Sequence, residues 1–420
     1  MTTATGAIRS PALPGGAVRV MAPLAALHAA MFLYDLGHPE RFLNGDRALE
    51  RIEVIKGFSE NTDSLQYLTS HGIPGDWLPQ ALLYLAGGQY LVIAVQVVLT
   101  LFSILWVMQI AQRLGLGERA AGAAAVLYAL LPHTLVFPHE LATEGIFCPL
   151  VILAFRLGAS ASGGLALGAA TLICPLTALW PFFVFRKTYI AFALAPLLLW
   201  MSFMYLATGE FSMGRSGHDL GNNLYFRMQR MSSELPKDQR PPERGPGQTK
   251  ATVGEYVAFV AAHPVLAAKH SARDVGVLTV KSGIERIVLD YLDLYPESRK
   301  ELQNSDSGWR AQVEQRGAVA ALWEVFRQQP GLIVSSALGA ALFVVFMALA
   351  VCGAWSRIRG RTIYSREWLL LAAFVVYIFA TAQAVDAAHS RHRAPAEFAL
   401  CILAVAGWLA LRRRGEKHVR

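Results

Sequence analysis

Charge is scarce in this chain. Of its 420 residues only 16% are Asp, Glu, Lys or Arg, while 54% are hydrophobic and the mean hydropathy is +0.38. A soluble domain carries about a quarter charged residues, so an ordinary soluble enzyme of this size is excluded. Cysteine is scarcer still. The four present, Cys148, Cys174, Cys352 and Cys401, all fall in apolar segments without metal-ligand spacing, which argues against a zinc ribbon or a disulfide scaffold and reads as small core residues. His139-Glu140 does not open an H-E-x-x-H motif, because position 143 is a threonine, and no G-x-x-x-x-G-K-[ST] loop occurs. Zincin and Walker-type chemistry are therefore unsupported. No repeat of fixed period is present, which argues against a propeller or a solenoid.

Long apolar runs take the place of charge. Residues 90–108, 120–137, 190–207, 332–354, 369–384 and 398–411 approach or exceed the length that a spanning helix needs, about 20 residues. Only helices and closed barrels satisfy their backbone in lipid, and unbroken runs of this length exclude barrel strands. The expected class is an all-α polytopic membrane protein with about ten membrane helical segments. Residues 20–33 resemble a signal sequence but lack a small-residue cleavage pattern, so they are expected to stay as the first membrane helix. Residues 163–185 carry Cys174-Pro175 at their centre; proline breaks helices, and two short helices or a re-entrant pair are expected there.

The formal net charge is +8, yet the basic residues mostly flank apolar runs, as the positive-inside rule expects, and no nucleic-acid partner follows. Arg113, Arg119, Arg156, Arg186, Lys187, Arg357, Arg359, Arg361, Arg366 and the 412–420 tail can share the cytoplasmic side. Three regions result: N-terminal membrane helices over 1–208 with a first outer loop at 35–82, an outer segment over 209–330 forming a cap, and C-terminal membrane helices over 331–420. Residues 132–144 and 385–397 also fall outside, which puts Arg391 and Arg393 on the face where the rule expects few cations.

Four outer segments contain chemistry. In "LYDLGHPERFLNGDRALERIEVIKGF", Asp46, Glu50 and Glu53 share one face of a helix whose other face is Leu49, Ile52 and Ile55. Asp46 serves there either as part of an amphipathic surface helix and its cap or as a general base. In "LLPHTLVFPHELATEGIFCP", His139 and Glu144 lie between two spans, with Glu144 placed to start a helix. In "FSMGRSGHDLGNNLYFRMQRM", Asn223, Tyr225 and Arg227 can line an anionic or carbohydrate ligand, although a glycine-rich loop is often only a turn. In "SRHRAPAEF", Arg391 and Arg393 offer planar donors suited to phosphate, or else pair locally with Asp386 and Glu397.

Taken in order, these segments resemble the GT-C class of integral membrane glycosyltransferases, the superfamily of protein O-mannosyltransferases and lipid A aminoarabinose transferases. The likeness rests on an acid in the first outer loop (Asp46 in "NGDRALERI"), a Thr-Glu helix start ("LATEGIF"), a "G-x-NLY" loop ("LGNNLYFRMQ") with a following His-Pro segment ("FVAAHPVLAAKH"), and a last outer loop similar to Arg-Tyr-Arg-Leu-Pro ("SRHRAPAEF"). Arg47 and Glu50 depart from the usual residues after the acid. The resemblance implies a GT-C-like bundle and inverting transfer of a sugar from a polyprenyl-phosphate donor to a lipid, glycan or protein acceptor. It makes Asp46 the general base, gives the donor phosphate to Arg391 and Arg393, and leaves Glu144, His139, Asn223, Tyr225 and Arg227 as substrate contacts. No metal or other cofactor is expected. The implied location is the cytoplasmic membrane, among its lipids, with the active site on the extracytoplasmic side. The alternative expectation is a transporter or flippase of a lipid-linked or anionic solute.

Overall fold

The structure, a computed structural model, describes residues 15–44, 48–60, 74–213, 216–241, 250–284, 330–360, 365–383 and 390–418, with isolated positions between 287 and 327. Every regular element among the described residues is helical. In chain order these are α1 (Gly15–Gly37), α2 (Ala48–Glu60), α3 (Pro74–Arg113), α4 (Glu118–Ala129), α5 (Pro132–Val136), α6 (Glu144–Leu157), α7 (Ala161–Ile173) and α8 (Trp180–Val184). There follow α9 (Lys187–Thr208), α10 (Ser216–Ser232), α11 (Val253–Ala262), α12 (Pro264–Val280), α13 (Pro330–Arg359), α14 (Ser365–Ala382) and α15 (Ala394–His418). Short 3-10 turns at Pro39–Asn44, Phe137–His139 and Ser390–Arg393 lead into or out of the helices that build the site.

Among the described residues, five helices are long and apolar enough to cross a membrane: Val20–Gly37, Trp77–Arg113, Lys187–Thr208, Ile333–Arg359 and Arg391–Arg413. A sixth span results if Glu118–Ala129 and Pro132–His139, bent by 67° at Pro132, cross together. The chain is thus an all-α membrane protein. Three more apolar helices among the described residues, Ala161–Ile173, Pro175–Val184 and Val253–Ala262, are shorter than a full crossing. The break at Cys174-Pro175 is where the sequence placed it: α7 stops at Ile173, a 3-10 turn follows at Pro175–Thr177, and α8 is a single short helix.

The span Arg391–Arg413 is the axis of the bundle, with 72% of its apolar window buried against 17% for Val20–Gly37. One contiguous core joins α3, α4, α6, α7, α13, α14 and α15, with Trp180, Trp368, Phe147, Phe374 and Phe398 at its centre. The α13–α15 crossing is close because Gly353 faces Leu403 and Gly407 faces Leu349. A Cβ on either glycine would overlap the opposing carbonyl, as expected where small residues let membrane helices approach. Gly88, at φ 68° and ψ −168°, kinks α3 in a conformation only glycine adopts easily. Beyond that kink, residues 96 and 113 are 17 positions apart, about 25 Å along a helix at 1.5 Å per residue. This length separates a histidine- and acid-rich layer around Gln96 from an arginine-rich end around Arg113.

Candidate functional site: a buried polar layer beneath the outer segments

His28 and Asp35 are seven residues apart on α1, two helical turns and therefore one face. His139, from the turn between α5 and α6, closes the gap between them. Its Nδ1 lies 2.5 Å from Asp35 Oδ2, and its Nε2 lies 3.1 Å from His28 Nδ1. The two imidazole planes are nearly parallel, 4° apart, with ring centroids at 5.4 Å. Arg41 Nη1 stands 3.9 Å from the second carboxylate oxygen. All four side chains are buried. Since an ionised carboxylate only accepts, His139 Nδ1–H donates to Asp35. A neutral His139 then accepts from His28 Nδ1–H, whereas a protonated His139 donates to His28. The chain can therefore store or pass one proton between α1 and the α5–α6 turn.

The same turn is clamped to the first loop. Leu141 N–H donates to Phe42 O at 2.9 Å, Arg51 Nη1 donates to Leu141 O at 3.0 Å and Arg51 Nη2 to Thr143 Oγ1 at 3.3 Å. Gln80 Nε2 donates to Ala142 O at 2.8 Å. Gln96, with its amide nitrogen turned toward the turn, donates to Phe137 O and Glu140 O at 3.1 and 3.2 Å. Non-helical backbone at membrane depth needs such donors. Helix α2 is amphipathic as its pattern predicts, with Ile52 and Ile55 buried and Glu53 exposed. Asp46 lies outside the described residues, two positions before α2 begins.

Glu144 is the first residue of α6 and half-buried, with Thr143 Oγ1 donating to its Oε2 at 3.3 Å. It lines a cavity of about 20 Å³ with Tyr128, His133, Thr134 and Glu397, large enough for one water. Across the cavity, His133 Nδ1 is 2.8 Å from Glu397 Oε1, and Arg393 Nε donates to the same oxygen at 3.1 Å. Arg393 is fully buried. Its Nη1 donates to the carbonyls of Leu278 and of Lys281, the latter at 2.9 Å, and its guanidinium lies 3.8 Å over the Phe343 ring. The local partner considered for the arginines is therefore present for Arg393, which is Glu397 at i+4. Arg391, on the same 3-10 turn, is half-buried, and Asp386 lies outside the described residues.

Helices α10 to α12 form the described part of the outer segment. Arg227 Nη1 pairs with Asp274 Oδ2 at 2.8 Å and its Nε donates to Tyr256 Oη at 3.0 Å, while Arg230 reaches the same carboxylate at 3.4 Å. Tyr225 is buried and accepts from Gln229 Nε2 at 2.6 Å, and Asn223 is half-buried. Arg227 and Tyr225 thus hold α10 against its neighbours. Lys269 and His270 both meet Glu234, at 2.6 and 3.0 Å. The hydrogen bond from Lys269 holds the Glu234 carboxyl below its usual range, and burial pushes the His270 imidazole down.

The structure therefore brings His139 and Glu144 into the polar layer with Arg393, and places Asn223, Tyr225 and Arg227 in the segment whose far end, at Leu278 and Lys281, holds Arg393. Sequence reasoning named Glu397 as a local partner of the arginines but passed over His28, Asp35 and His133 as members of this layer. The seven-residue spacing of a histidine and an aspartate within one apolar helix, and the four-residue spacing of Arg393 and Glu397, were the signals for them. Among the described residues no three His, Cys, Asp or Glu side chains converge to hold a metal ion. Compared with protein-family models, with curated proteins and with solved structures, the chain gives no match.

Proposed function

We propose that the protein is an inverting glycosyltransferase that moves a sugar from a polyprenyl-phosphate donor to an acceptor at the extracytoplasmic face of the cytoplasmic membrane. The observation that supports this reading is convergence. The first loop, the 137–144 junction and the 390–397 turn, far apart in sequence, surround one buried polar layer. Under this reading the acceptor oxygen attacks the anomeric carbon and its proton passes to Asp46. The bond from that carbon to the phosphate oxygen breaks, and the lipid phosphate leaves with the electron pair. Donors aimed at the leaving oxygens stabilise the developing charge. Arg391 is the residue for that task, and Arg393 is the positioning residue that fixes its turn. Glu144 and His139 lie in the layer where the sugar hydroxyls would be held, while Asn223, Tyr225 and Arg227 shape the outer cover.

A transporter or flippase is the second reading, favoured by one specific observation. The His28–His139–Asp35 chain is an ionisable relay with two of its three members, His28 and Asp35, in the candidate span Val20–Gly37, and such groups mark proton pathways in membrane proteins. The two readings separate in one experiment. Membranes containing wild type, Asp46→Asn or Glu144→Gln are supplied with a panel of radiolabelled polyprenyl-phosphate sugars. Transfer or slow hydrolysis by wild type, lost in Asp46→Asn, is the expected result. Full activity in Asp46→Asn would remove that residue as the base. Donor movement across the bilayer without turnover would put transport first.

A further inference from the structure

The arginine-rich end of the bundle holds a second cavity, of about 270 Å³. Its walls are apolar, formed by Ile110, Leu114, Phe155, Trp180, Val184 and Leu371, and its rim carries Arg113, Arg186 and Arg366 against the single acid Glu367. Three cations and one anion leave a formal charge of +2 on the lining. Two of the arginines are pinned by backbone carbonyls. Arg113 donates to Arg156 O at 2.7 Å and to Phe155 O at 2.5 Å, and Arg366 donates to Val184 O at 3.2 Å. A guanidinium has five N–H donors, so both keep donors for a ligand. Arg186 is exposed and makes no hydrogen bond through its side chain among the described residues. The start of α9, whose first amides have no side-chain cap, lies on the same rim and adds to the positive potential.

The outer wall beside this rim is aromatic. Phe182, Phe183 and Phe185 are exposed by 46%, 47% and 81%, and Phe183 stacks on Trp180 at 5.6 Å. Phe185 takes a left-handed φ of 53°, which turns the chain sharply between Val184 and Arg186. Aromatic rings and basic residues at one level mark the membrane–water interface. The cavity therefore opens where phospholipid headgroups lie.

We infer that this cavity is a binding site for an anionic phospholipid, with its phosphate on Arg186 and Arg366 and a segment of one acyl chain among the apolar walls. The volume suits that occupant. At about 270 Å³ the cavity has more than ten times the space of the one-water cavity beside Glu144, more than a bare phosphate fills and less than a whole lipid, so the rest of the chain stays in the bilayer. The charge on the rim selects an anionic head over a zwitterionic one. The inference does not depend on glycosyl transfer, because the cavity is at the opposite end of α3 from the polar layer.

The test uses the full chain purified in detergent and stripped of lipid, with phosphatidylglycerol and phosphatidylcholine as probes. Retention is read by native mass spectrometry, and stabilisation by thermal unfolding. Wild type is expected to retain phosphatidylglycerol in preference and to gain stability from it. The Arg186→Gln/Arg366→Gln double variant should bind it at least about tenfold more weakly, from the loss of two charge-assisted contacts. Ala159 also lines the cavity, and Ala159→Phe, which fills it and leaves the arginines in place, should lose the same lipid. Equal retention of the two lipids, or phosphatidylglycerol binding unchanged in both variants, would overturn the inference. So would inorganic phosphate alone reproducing the whole stabilisation, which would indicate a free-anion site.

Discussion

Replacing Arg393 with methionine keeps most of the side-chain length and removes the charge. In the native structure the guanidinium is fully buried and serves Glu397, the carbonyls of Leu278 and Lys281, and the face of Phe343. Its loss leaves Glu397 to His133 and strips two carbonyls of a donor. Breaking one side of a buried ion pair costs about 3–5 kcal/mol, against a total stability of about 5–15 kcal/mol for a typical domain. A value near 4 kcal/mol shifts the unfolding equilibrium by about a thousandfold. The assay is tryptophan-detected unfolding in mixed micelles for wild type, Arg393→Met, Glu397→Leu and the double variant. The double variant is expected to recover a large part of the loss, because two apolar residues replace the pair at little net cost. Arg391→Gln should raise the donor concentration needed for half-maximal rate and cost less stability than Arg393→Met. A loss below about 1 kcal/mol for Arg393→Met, with no recovery in the double variant, would refute the structural assignment and return the phosphate role to Arg393.

Gly353→Leu should separate α13 from α15 at their closest approach, since even a Cβ there overlaps the Leu403 carbonyl. The expected outcome is a loss of folded protein in detergent-solubilised membranes, and normal thermal unfolding would refute it. Asp35→Asn removes the acceptor that orients His139 and should cost about 1–3 kcal/mol while turnover per folded molecule stays within a few fold. Lost proton coupling without lost stability would favour transport instead. Acidification should loosen α10 to α12. His270 has a folded pKa below its ordinary 6.5, so its share of stability is present above 6.5 and falls as pH drops through the lower folded value. Glu234, held below its ordinary 4.5 chiefly by Lys269, loses its share at more acid pH still. Limited proteolysis across pH 7 to 4 checks this, and His270→Asn should remove the upper part of the response.

Much of the membrane architecture was legible because periodicity and composition act locally. The apolar runs at 90–108 and 190–207 lie within spans, the Ile52/Ile55 face of α2 is buried, and the Cys174-Pro175 break divides α7 from α8. Span count was harder to read. Length in residues does not tell a crossing helix from one that ends inside the bundle, and α6 and α7 pack at least half of their residues into the core although they have only 14 and 13 residues. Partners distant in sequence were not legible at all. Nothing local to "HAAMFLYD" states that His139, more than a hundred residues on, stands between His28 and Asp35.

The two arginines of "SRHR" show where local reading stops and geometry decides. Both carry the same charge two residues apart, so any rule that places cations treats them alike. A 3-10 turn advances about three residues per revolution, so side chains two apart point in clearly different directions, and one of the pair must face inward if the other faces the rim. The helix that begins at Ala394 selects which. Four residues after Arg393 comes Glu397, the spacing at which helical neighbours meet, and that carboxylate is already tied to His133. An inward Arg393 therefore answers a buried anion that would otherwise carry an uncompensated charge. Arg391 has no acid at the corresponding position, where Pro395 stands, so the i+4 contact that draws Arg393 inward is not repeated for it.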